Sequence, residues 1–192
     1  MAETERPLRA DARRNRERIM AAAGELFARF GHEAQMEEIA AHAGLGLGTL
    51  YRHFPGKQAL LTAMVRVRVR AMADLARAAE QVPDPDEAFQ TIVCSYLEAA
   101  NRDAAFQLAV MGSKDIDWQG IEHEKSEFDE IVGRIIDRAV AAGRMRSDLT
   151  VADFHQLTCG VISSMYFTRG GRSDWRRHLD LALNGIRTSV SP

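Results

Sequence analysis

Apolar residues recur at intervals of three and four along most of this chain, and no proline interrupts the stretch from Asp86 to Ser191. Residues at this spacing share one face of an α-helix, and a proline inside a helix would break it. A mostly β protein of this length needs many glycine and proline turns. The chain instead has 14 Gly, five Pro and abundant alanine, the best helix former. The sequence therefore predicts an all-α fold.

Cap and stop residues divide this pattern into about nine helices. Asp84 precedes a proline, an arrangement typical of a helix start, and Thr150 and Asp153 have the spacing of a capping box. We expect Ser173 to cap the last helix and Gly143 to end an earlier one. The predicted helices span about 19–30, 36–42, 47–53, 57–81, 85–102, 103–111, 121–142, 151–169 and 174–190.

The segment 64–70 alternates apolar residues with arginine, a pattern that in isolation predicts a β-strand. Its flanks, 57–63 and 71–80, are rich in Ala, Leu and Met, which favour helix. We therefore expect one long helix through the whole of 57–81.

The first 56 residues contain three predicted helices, the last two of them short. Gly44 and Gly46 separate 36–42 from 47–53, and two short helices joined by a glycine turn are typical of a helix-turn-helix. The longer helices that follow predict a helical bundle. We expect an N-terminal arm over 1–12, a helix-turn-helix domain over 13–56 and a bundle over 57–192.

Length and composition limit the classes of protein to consider. With 192 residues, 46% hydrophobic and 27% charged, the chain has the balance of a globular protein. Two cysteines exclude a disulfide framework and a four-cysteine metal site. Cys94 and Cys159 lie among apolar residues, so we expect buried, unreactive thiols. The N-terminus lacks a signal-peptide pattern, and no apolar run reaches the roughly 18 residues of a membrane span, so we expect a cytoplasmic protein.

Positive charge is concentrated near the N-terminus, although the net charge is −2. Residues 1–60 carry nine Lys or Arg against eight Asp or Glu, and the remaining residues carry 16 against 19. Six of the arginines lie between Arg6 and Arg18. A basic module on an acidic body can meet a polyanion locally. A solvated helix face is an equally good interpretation of the arginines alone.

Residues 44–57 carry groups that suit contact with DNA. Gly44 permits a tight turn, and glycine at 46 and 48 lets the backbone approach a phosphate or base edge. Thr49 offers a hydroxyl and a methyl group to the major groove. Leu50 and Phe54, four residues apart, are expected in the core of the module. The side chains whose polar tips suit phosphate contact are Tyr51, His53 and Lys57.

The segment from Ile39 to Lys57 resembles the helix-turn-helix signature of TetR-type transcriptional regulators. The pieces of that signature are Ile-Ala, a glycine turn, Gly-Thr-Leu-Tyr, Phe, Lys and Leu-Leu, which stand here at 39–40, 44, 48–51, 54, 57 and 60–61. With upstream matches at Ile19 and Gly31, the resemblance covers about 13–61. Gln35 departs from it, because the family usually has Thr or Ser at that point, where the hydroxyl caps a helix and binds a phosphate.

The resemblance implies that the helix 47–53 enters the major groove of DNA. The N-terminal arginines are expected to contact phosphates or the adjacent minor groove. Arg52 either reaches a base edge or stays solvated. The implied DNA-contacting residues are Arg13, Arg14, Arg18, Gln35, Leu47, Gly48, Thr49, Tyr51, Arg52, His53 and Lys57.

The resemblance further implies a repressor that a small, largely apolar effector releases from DNA. Its homodimer would pair through the last two helices and bind a near-palindromic operator, with the two reading helices about 34–36 Å apart. A pocket for such an effector suits Met and aromatic residues between bundle helices, although each of these residues can equally be plain core. The candidates are Met72, Phe89, Val93, Phe106, Met111, Trp118, Phe128, Met165 and Tyr166. We expect no catalytic, metal or cofactor site.

Rival functions have weaker support in the sequence. The alternating Gly and Leu of 44–48 lack the spacing of a GxGxxG or Walker loop. The six histidines form no HExxH pattern, and the adjacent Glu122, His123 and Glu124 project in different directions from a helix. These observations disfavour an enzyme. The remaining alternative is a protein–protein adaptor whose helix-turn-helix no longer binds DNA. Such an adaptor would lack the phosphate-contacting groups.

Overall fold

The chain forms helices joined by short turns in this computed structural model, which describes residues 5–102, 116–167 and 174–187, without side chains at 5–9, 32, 166 and 167. Short 3₁₀ turns lie at Gly31–Glu33 and Gln119–Ile121, and an isolated antiparallel bridge joins Met145 to Arg187. The described helices are α1 (Glu5–Phe30), α2 (Met36–His42), α3 (Leu47–His53), α4 (Lys57–Glu80), α5 (Pro85–Arg102), α6 (Glu122–Ala141), α7 (Val151–Phe167) and α8 (Trp175–Ile186).

The predicted all-α class is confirmed, and α4 runs as one helix through the alternating segment 64–70. The first helix is longer than its apolar stripe, since it begins at Glu5, inside the predicted arm. The predicted helix 103–111 lies outside the described residues. None of the described helices is both long and apolar enough to cross a membrane.

Side-chain caps fix the starts of three helices. The Asp84 carboxylate accepts the backbone N–H groups of Asp86 and Glu87 at 2.9 and 3.0 Å. Thr150 and Asp153 bond reciprocally, at 2.8 Å from the Thr150 N–H and 3.2 Å from the Asp153 N–H, so the predicted capping box is confirmed. The prediction for the last helix was wrong by one residue. Asp174, not Ser173, is its N-cap, because its carboxylate accepts the Arg177 N–H.

The chain divides into two compact units, and the division falls inside α4 between Val65 and Arg66. In the described part, unit 1 comprises 5–65 and 116–120, and unit 2 comprises 66–102, 121–167 and 174–187. The first turns of α4 belong to unit 1, where Leu60 and Leu61 are buried. The segment 116–120 joins unit 1 as well, since the Asp117 N–H donates to the Thr62 hydroxyl at 3.0 Å.

Unit 2 has an aromatic core. The Phe154 ring of α7 meets Phe89 and Tyr96 of α5 edge-on, with centroids 6.4 and 5.8 Å apart, and Phe128 of α6 at 6.0 Å. Next to these rings, His155 Nε2 lies 2.7 Å from Asp129 Oδ1. Close aromatic packing in this unit is therefore bordered by a polar pair that is about one-third exposed.

Within unit 2, α4 is tied to α6 by charged groups. Glu124 of α6 is only 8% exposed and lies 3.2 Å from Arg66 and 2.8 Å from Arg70 of α4. Its own backbone N–H and the Arg70 guanidinium lower the pKa of the Glu124 carboxyl, against the opposing effect of burial. Farther along, Arg134 Nε lies 2.6 Å from Glu80. The ion pairs hold the unit 2 part of α4 in register with α6.

The expectation of two buried thiols was wrong. Cys159 is exposed, because Phe154, Thr158 and Val161 occupy the inward face of α7. Cys94 is half-buried on α5, and burial raises the pKa of its thiol, so this group stays protonated near neutral pH.

Replacing Phe154 by Ala should lower the free energy of unfolding by about 3–5 kcal/mol, because the large ring leaves a cavity in a close-packed core. Denaturant unfolding at one fixed protomer concentration measures the loss. Val67→Ala is the matched control, since Val67 is 54% exposed on α4 and its truncation should cost less than about 0.5 kcal/mol. Equal effects of the two substitutions would contradict this description of the core.

Candidate nucleic-acid interface

The turn between α2 and α3 depends on glycine. Gly44 has φ +63°, in the left-handed region, which a residue with a Cβ adopts only with strain. The Gly44 N–H donates to the Ala41 carbonyl at 3.0 Å and the Leu45 N–H to the Ala40 carbonyl at 2.9 Å. These bonds satisfy carbonyls at the end of α2 and direct the chain toward α3.

Helix α3 presents one face to the core of unit 1 and the other to solvent. Leu50 is fully buried and Phe54, at its C-cap, is 1% exposed, as predicted. On the outer side, Leu47 is 37% and Tyr51 42% exposed. An apolar and an aromatic side chain thus project from a helix of seven residues that its buried side holds in place.

The glycines at 46 and 48 face open space. A Cβ built at either position would meet no atom within 4 Å, and neither residue has a positive φ. The packing of the chain itself therefore gives no reason for glycine here. The bare backbone at the start of α3 leaves room for the close approach of another molecule.

Polar groups of α3 and of the start of α4 lie around this exposed face. The Arg52 guanidinium donates to the Thr49 hydroxyl at 3.0 Å, so these two predicted contact residues are already arranged together. Arg52 is exposed and His53 half-buried. Lys57 begins α4, with its Nζ 5.7 Å from the centroid of the Phe27 ring. A hydroxyl and three groups that are or can become cationic therefore lie along one short segment.

The predicted contact residues of α1 fall into two classes. Arg13 and Arg14 have side chains 74% and 61% exposed, and their ion-pair partners, Glu17 and Asp11, lie one turn away on the same helix. Arg18 instead donates to backbone carbonyls at the end of α2. Sequence spacing grouped these arginines together, but the fold separates them.

Gln35 is the N-cap of α2 and forms a capping box with Glu38. Its backbone N–H donates to the Glu38 carboxylate at 3.0 Å, and its side-chain amide donates to the Glu33 carbonyl at 2.7 Å. The amide group has a second hydrogen and the residue is exposed. Gln35 is thus placed at the start of a helix, where anions are favoured.

Five predicted effector-pocket residues belong to the core of unit 2. Phe89, Val93 and Phe128 are at most 4% exposed there, and Met72 and Met165 are half-buried against the same cluster. In the structure these side chains fill the bundle.

The remaining pocket candidates are scattered. Trp118 is 48% exposed and lies in unit 1. Phe106, Met111 and the side chain of Tyr166 lie outside the described residues. The prediction missed Tyr96, whose ring packs between Phe128 and Phe154. Tyr96 follows Phe89 by seven positions on α5, and this helical spacing could have revealed it.

Tyr96 and His155 bring polar chemistry to an apolar region. Burial raises the pKa of the Tyr96 phenol, with further contributions from Cys159 and Asp129, so the group stays a neutral O–H donor. His155 is held by Asp129. Among the described residues, no three His, Cys, Asp or Glu side chains are grouped so as to hold a metal ion.

An open groove of about 310 Å³ lies between α7 and α8. Its floor and walls include the small residues Gly160, Ser164 and Ala182. Leu181, which directly precedes the groove residue Ala182 in the sequence, is 58% exposed. Its full lining is Gln156, Leu157, Gly160, Val161, Ser164, His178 and Ala182.

Two family models match the chain. The model of bacterial regulatory proteins of the tetR family matches residues 19–64, which include α2, the turn and α3. The model of the SbtR-like transcriptional regulator C-terminal domain matches residues 84–188, more than half of the 192-residue chain.

Known regulators resemble the chain over most of its length. The HTH-type transcriptional regulator UidR of Escherichia coli K12 is 26% identical, over 82% of this chain and 85% of the relative. The crystal structure of a TetR transcription regulatory protein from Mycobacterium vanbaalenii is 33% identical, covers 95% of this chain and 100% of that chain, and has a TM-score of 0.64. The fatty acid degradation regulator FadR of Bacillus halodurans, 17% identical with a TM-score of 0.72 over 91% of this chain and 97% of that chain, shares the fold.

Replacing Gly48 by Ala should separate folding from DNA binding. The new methyl group meets open space and should stabilise α3 by about 0.5–1 kcal/mol. The same methyl group should weaken binding to duplex DNA by about tenfold or more, which is the effect of one impaired base contact. Thermal unfolding and fluorescence anisotropy with duplex DNA measure the two effects.

Gly24→Ala in α1 is the matched control, because its Cβ would lie 3.9 Å from Met64, an ordinary contact inside unit 1. It should leave DNA binding unchanged. DNA affinity that survives Gly48→Ala intact would mean that no duplex approaches the start of α3.

Proposed function

The chain belongs to the TetR family of bacterial regulatory proteins, a family of DNA-binding transcriptional regulators, and we propose that it is a repressor released by a small effector. It acts in the cytoplasm as a homodimer on a near-palindromic operator. The observation that carries the proposal is the exposed face of α3, which combines open glycine backbone with polar and basic groups.

On DNA, α3 lies in the major groove. The glycine backbone at 46 and 48 approaches the duplex, and Leu47 and Thr49 meet base edges, where a methyl group suits thymine. Tyr51, His53 and Lys57 contact phosphates and set the register without reading sequence. Arg52, which bonds Thr49 in this structure, contacts either a base edge or a phosphate once that bond is replaced by one to DNA.

The homodimer pairs through α7 and α8. The groove between these helices is open, and its lining combines small or apolar residues such as Leu157, Gly160 and Ala182 with the polar Gln156 and His178. A second copy of the same face can therefore approach closely and bury Leu181. A two-fold pair presents two α3 helices about one DNA turn apart, roughly 34–36 Å. The operator is then a near-palindrome.

The effector binds in unit 2 by opening space among the apolar and aromatic side chains that fill the bundle in this structure. Tyr96 supplies a neutral hydroxyl, and the His155–Asp129 pair supplies a second polar anchor beside the same rings. A ligand with an apolar body and one or two hydrogen-bonding groups fits this chemistry.

Release from DNA proceeds through α4. This helix is continuous from Lys57 to Glu80, so a displacement of its unit 2 part moves its start, where Lys57 meets a phosphate. The ion pairs of Glu124 with Arg66 and Arg70 hold it in one position until an effector favours another. A coupling free energy of about 1–3 kcal/mol weakens DNA binding 5- to 150-fold.

Selection of bound duplexes from random DNA, followed by affinity measurements at several salt concentrations, tests the DNA-binding role. The wild-type protein should enrich a near-palindrome. Lys57→Gln should weaken binding to all duplexes and reduce the slope of log affinity against log salt by about 0.9 for each lost phosphate contact.

Lys125→Gln is the matched control, since it makes the same change of charge on α6 in unit 2. It should leave the salt slope as in the wild type. Failure of the wild type to bind any duplex at low salt would favour the adaptor alternative over a regulator.

Gly160→Arg should produce a monomer. A Cβ at this position meets nothing within 4 Å in the single chain, so the fold tolerates a side chain there. A second copy packed on the groove would clash with the arginine. Sedimentation equilibrium measures the mass, and far-UV circular dichroism verifies the helices. Asp137→Arg, on the exposed side of α6, should stay dimeric. A dimer that survives Gly160→Arg must pair through another face.

A further inference from the structure

Arg18 of α1 bonds the backbone of the turn that precedes α3. Its Nη2 lies 2.6 Å from the Ala43 carbonyl oxygen and 3.2 Å from that of Gly44. Ala43 is the C-cap of α2, where carbonyls lack partners within the helix and carry partial negative charge. A guanidinium placed on these oxygens satisfies them and holds the turn against α1.

Gly44 and Arg18 fit each other closely. A Cβ on Gly44 would lie 2.9 Å from Arg18 Nη2, so the turn has room for the guanidinium because residue 44 has no side chain. The left-handed φ of Gly44 and the position of Arg18 are thus two parts of one local arrangement.

Arg16, two residues earlier, contacts the chain at the other end of α3. Its guanidinium carbon lies 4.4 Å from the centroid of the Phe54 ring, a geometry typical of a cation–π contact. Phe54 is the C-cap of α3, and its N–H donates to the Leu50 carbonyl at 2.9 Å. Arg16 therefore contacts the residue just after α3, and Arg18 bonds the turn that precedes α3.

A helix of seven residues needs such support. Isolated helices shorter than about 12–15 residues are marginal in water, so the direction of α3 depends on contacts made by its buried side and by its two ends. Leu50 supplies the first. The α1 arginines supply contacts at its C-cap and at the turn that precedes it.

We propose that Arg16 and Arg18 are positioning residues that orient α3 from inside unit 1, and that Arg13 and Arg14 are the arginines of this segment that contact DNA phosphates. The inference rests on the proposed function of α3 and revises the role that sequence resemblance implied for Arg18. Arg13 and Arg14 are free to serve the phosphates because exposed ion pairs within one helix are weak.

The salt dependence of DNA binding separates the two roles. Arg18→Met should weaken binding to the selected duplex by about tenfold or more and leave the salt slope as in the wild type, measured between about 50 and 200 mM salt. Arg13→Met should instead reduce the slope by about 0.9 for each lost phosphate contact. A reduced slope for Arg18→Met, or an unchanged affinity, would overturn the inference.

Arg18→Lys keeps the charge but replaces the guanidinium by a single ammonium group. It should keep the wild-type slope without restoring wild-type affinity, and full recovery would show that charge alone suffices and overturn the inference. If Arg18→Met does not fold, Arg18→Lys is compared with the wild type in its place.

Amide hydrogen exchange in the absence of DNA provides an independent readout. Residues 43–50 should exchange faster in the Arg18 variants than in the wild type, with α5–α7 unchanged, and unaltered exchange at the turn would overturn the inference. Should the wild type bind no duplex, the proposed function fails while this measurement still decides the positioning role. Should the wild type bind and the Arg18 variants match it, the positioning role alone fails.

Discussion

The orientation of one short helix is the constraint on which the rest of this structure depends. A seven-residue α3 has too few internal hydrogen bonds to stand alone, so the burial of Leu50 and Phe54 fixes it in unit 1. The left-handed Gly44 sets its direction relative to α2. Because its inner side is held, its outer side can present bare glycine backbone and polar groups in a defined arrangement. Reading of a duplex in the major groove requires such a preformed surface.

Unit 2 places different demands on its residues. Its aromatic rings pack closely, which makes the bundle a stable body. Helix α4 contributes the small buried residues Ala73, Ala76 and Ala79 to the same core and is also linked to α6 by ion pairs of long arginine side chains. The more exposed of these pairs, Arg134 with Glu80, can be exchanged at lower cost than an interdigitated apolar contact. A helix tied in this way suits the transmission of a small displacement, which is the role proposed for α4.

Local patterns predicted most of the fold. Apolar spacing located the described helices, and the turn at Gly44, the caps at Asp84 and Thr150, and the inward Leu50 followed from short-range chemistry. Features that depend on tertiary placement were harder to predict from the sequence. Apolar neighbours led to the wrong prediction for Cys159, although its spacing from Phe154 and Val161 places it off the inward face of α7. The sequence offered two adjacent candidates for the cap of the last helix, of which Asp174 is the one used. Spacing also grouped Arg13 with Arg18, although only the folded chain brings Arg18 to carbonyls 25 and 26 residues away.

We propose above all that two copies of α3 occupy successive major grooves on one face of a duplex. Methylation interference at guanine N7, an atom of the major groove, tests it most directly on the selected operator. Two patches of interference are expected, centred about 34–36 Å apart along the duplex. A single patch, or interference confined to adenine N3 in the minor groove, would contradict it.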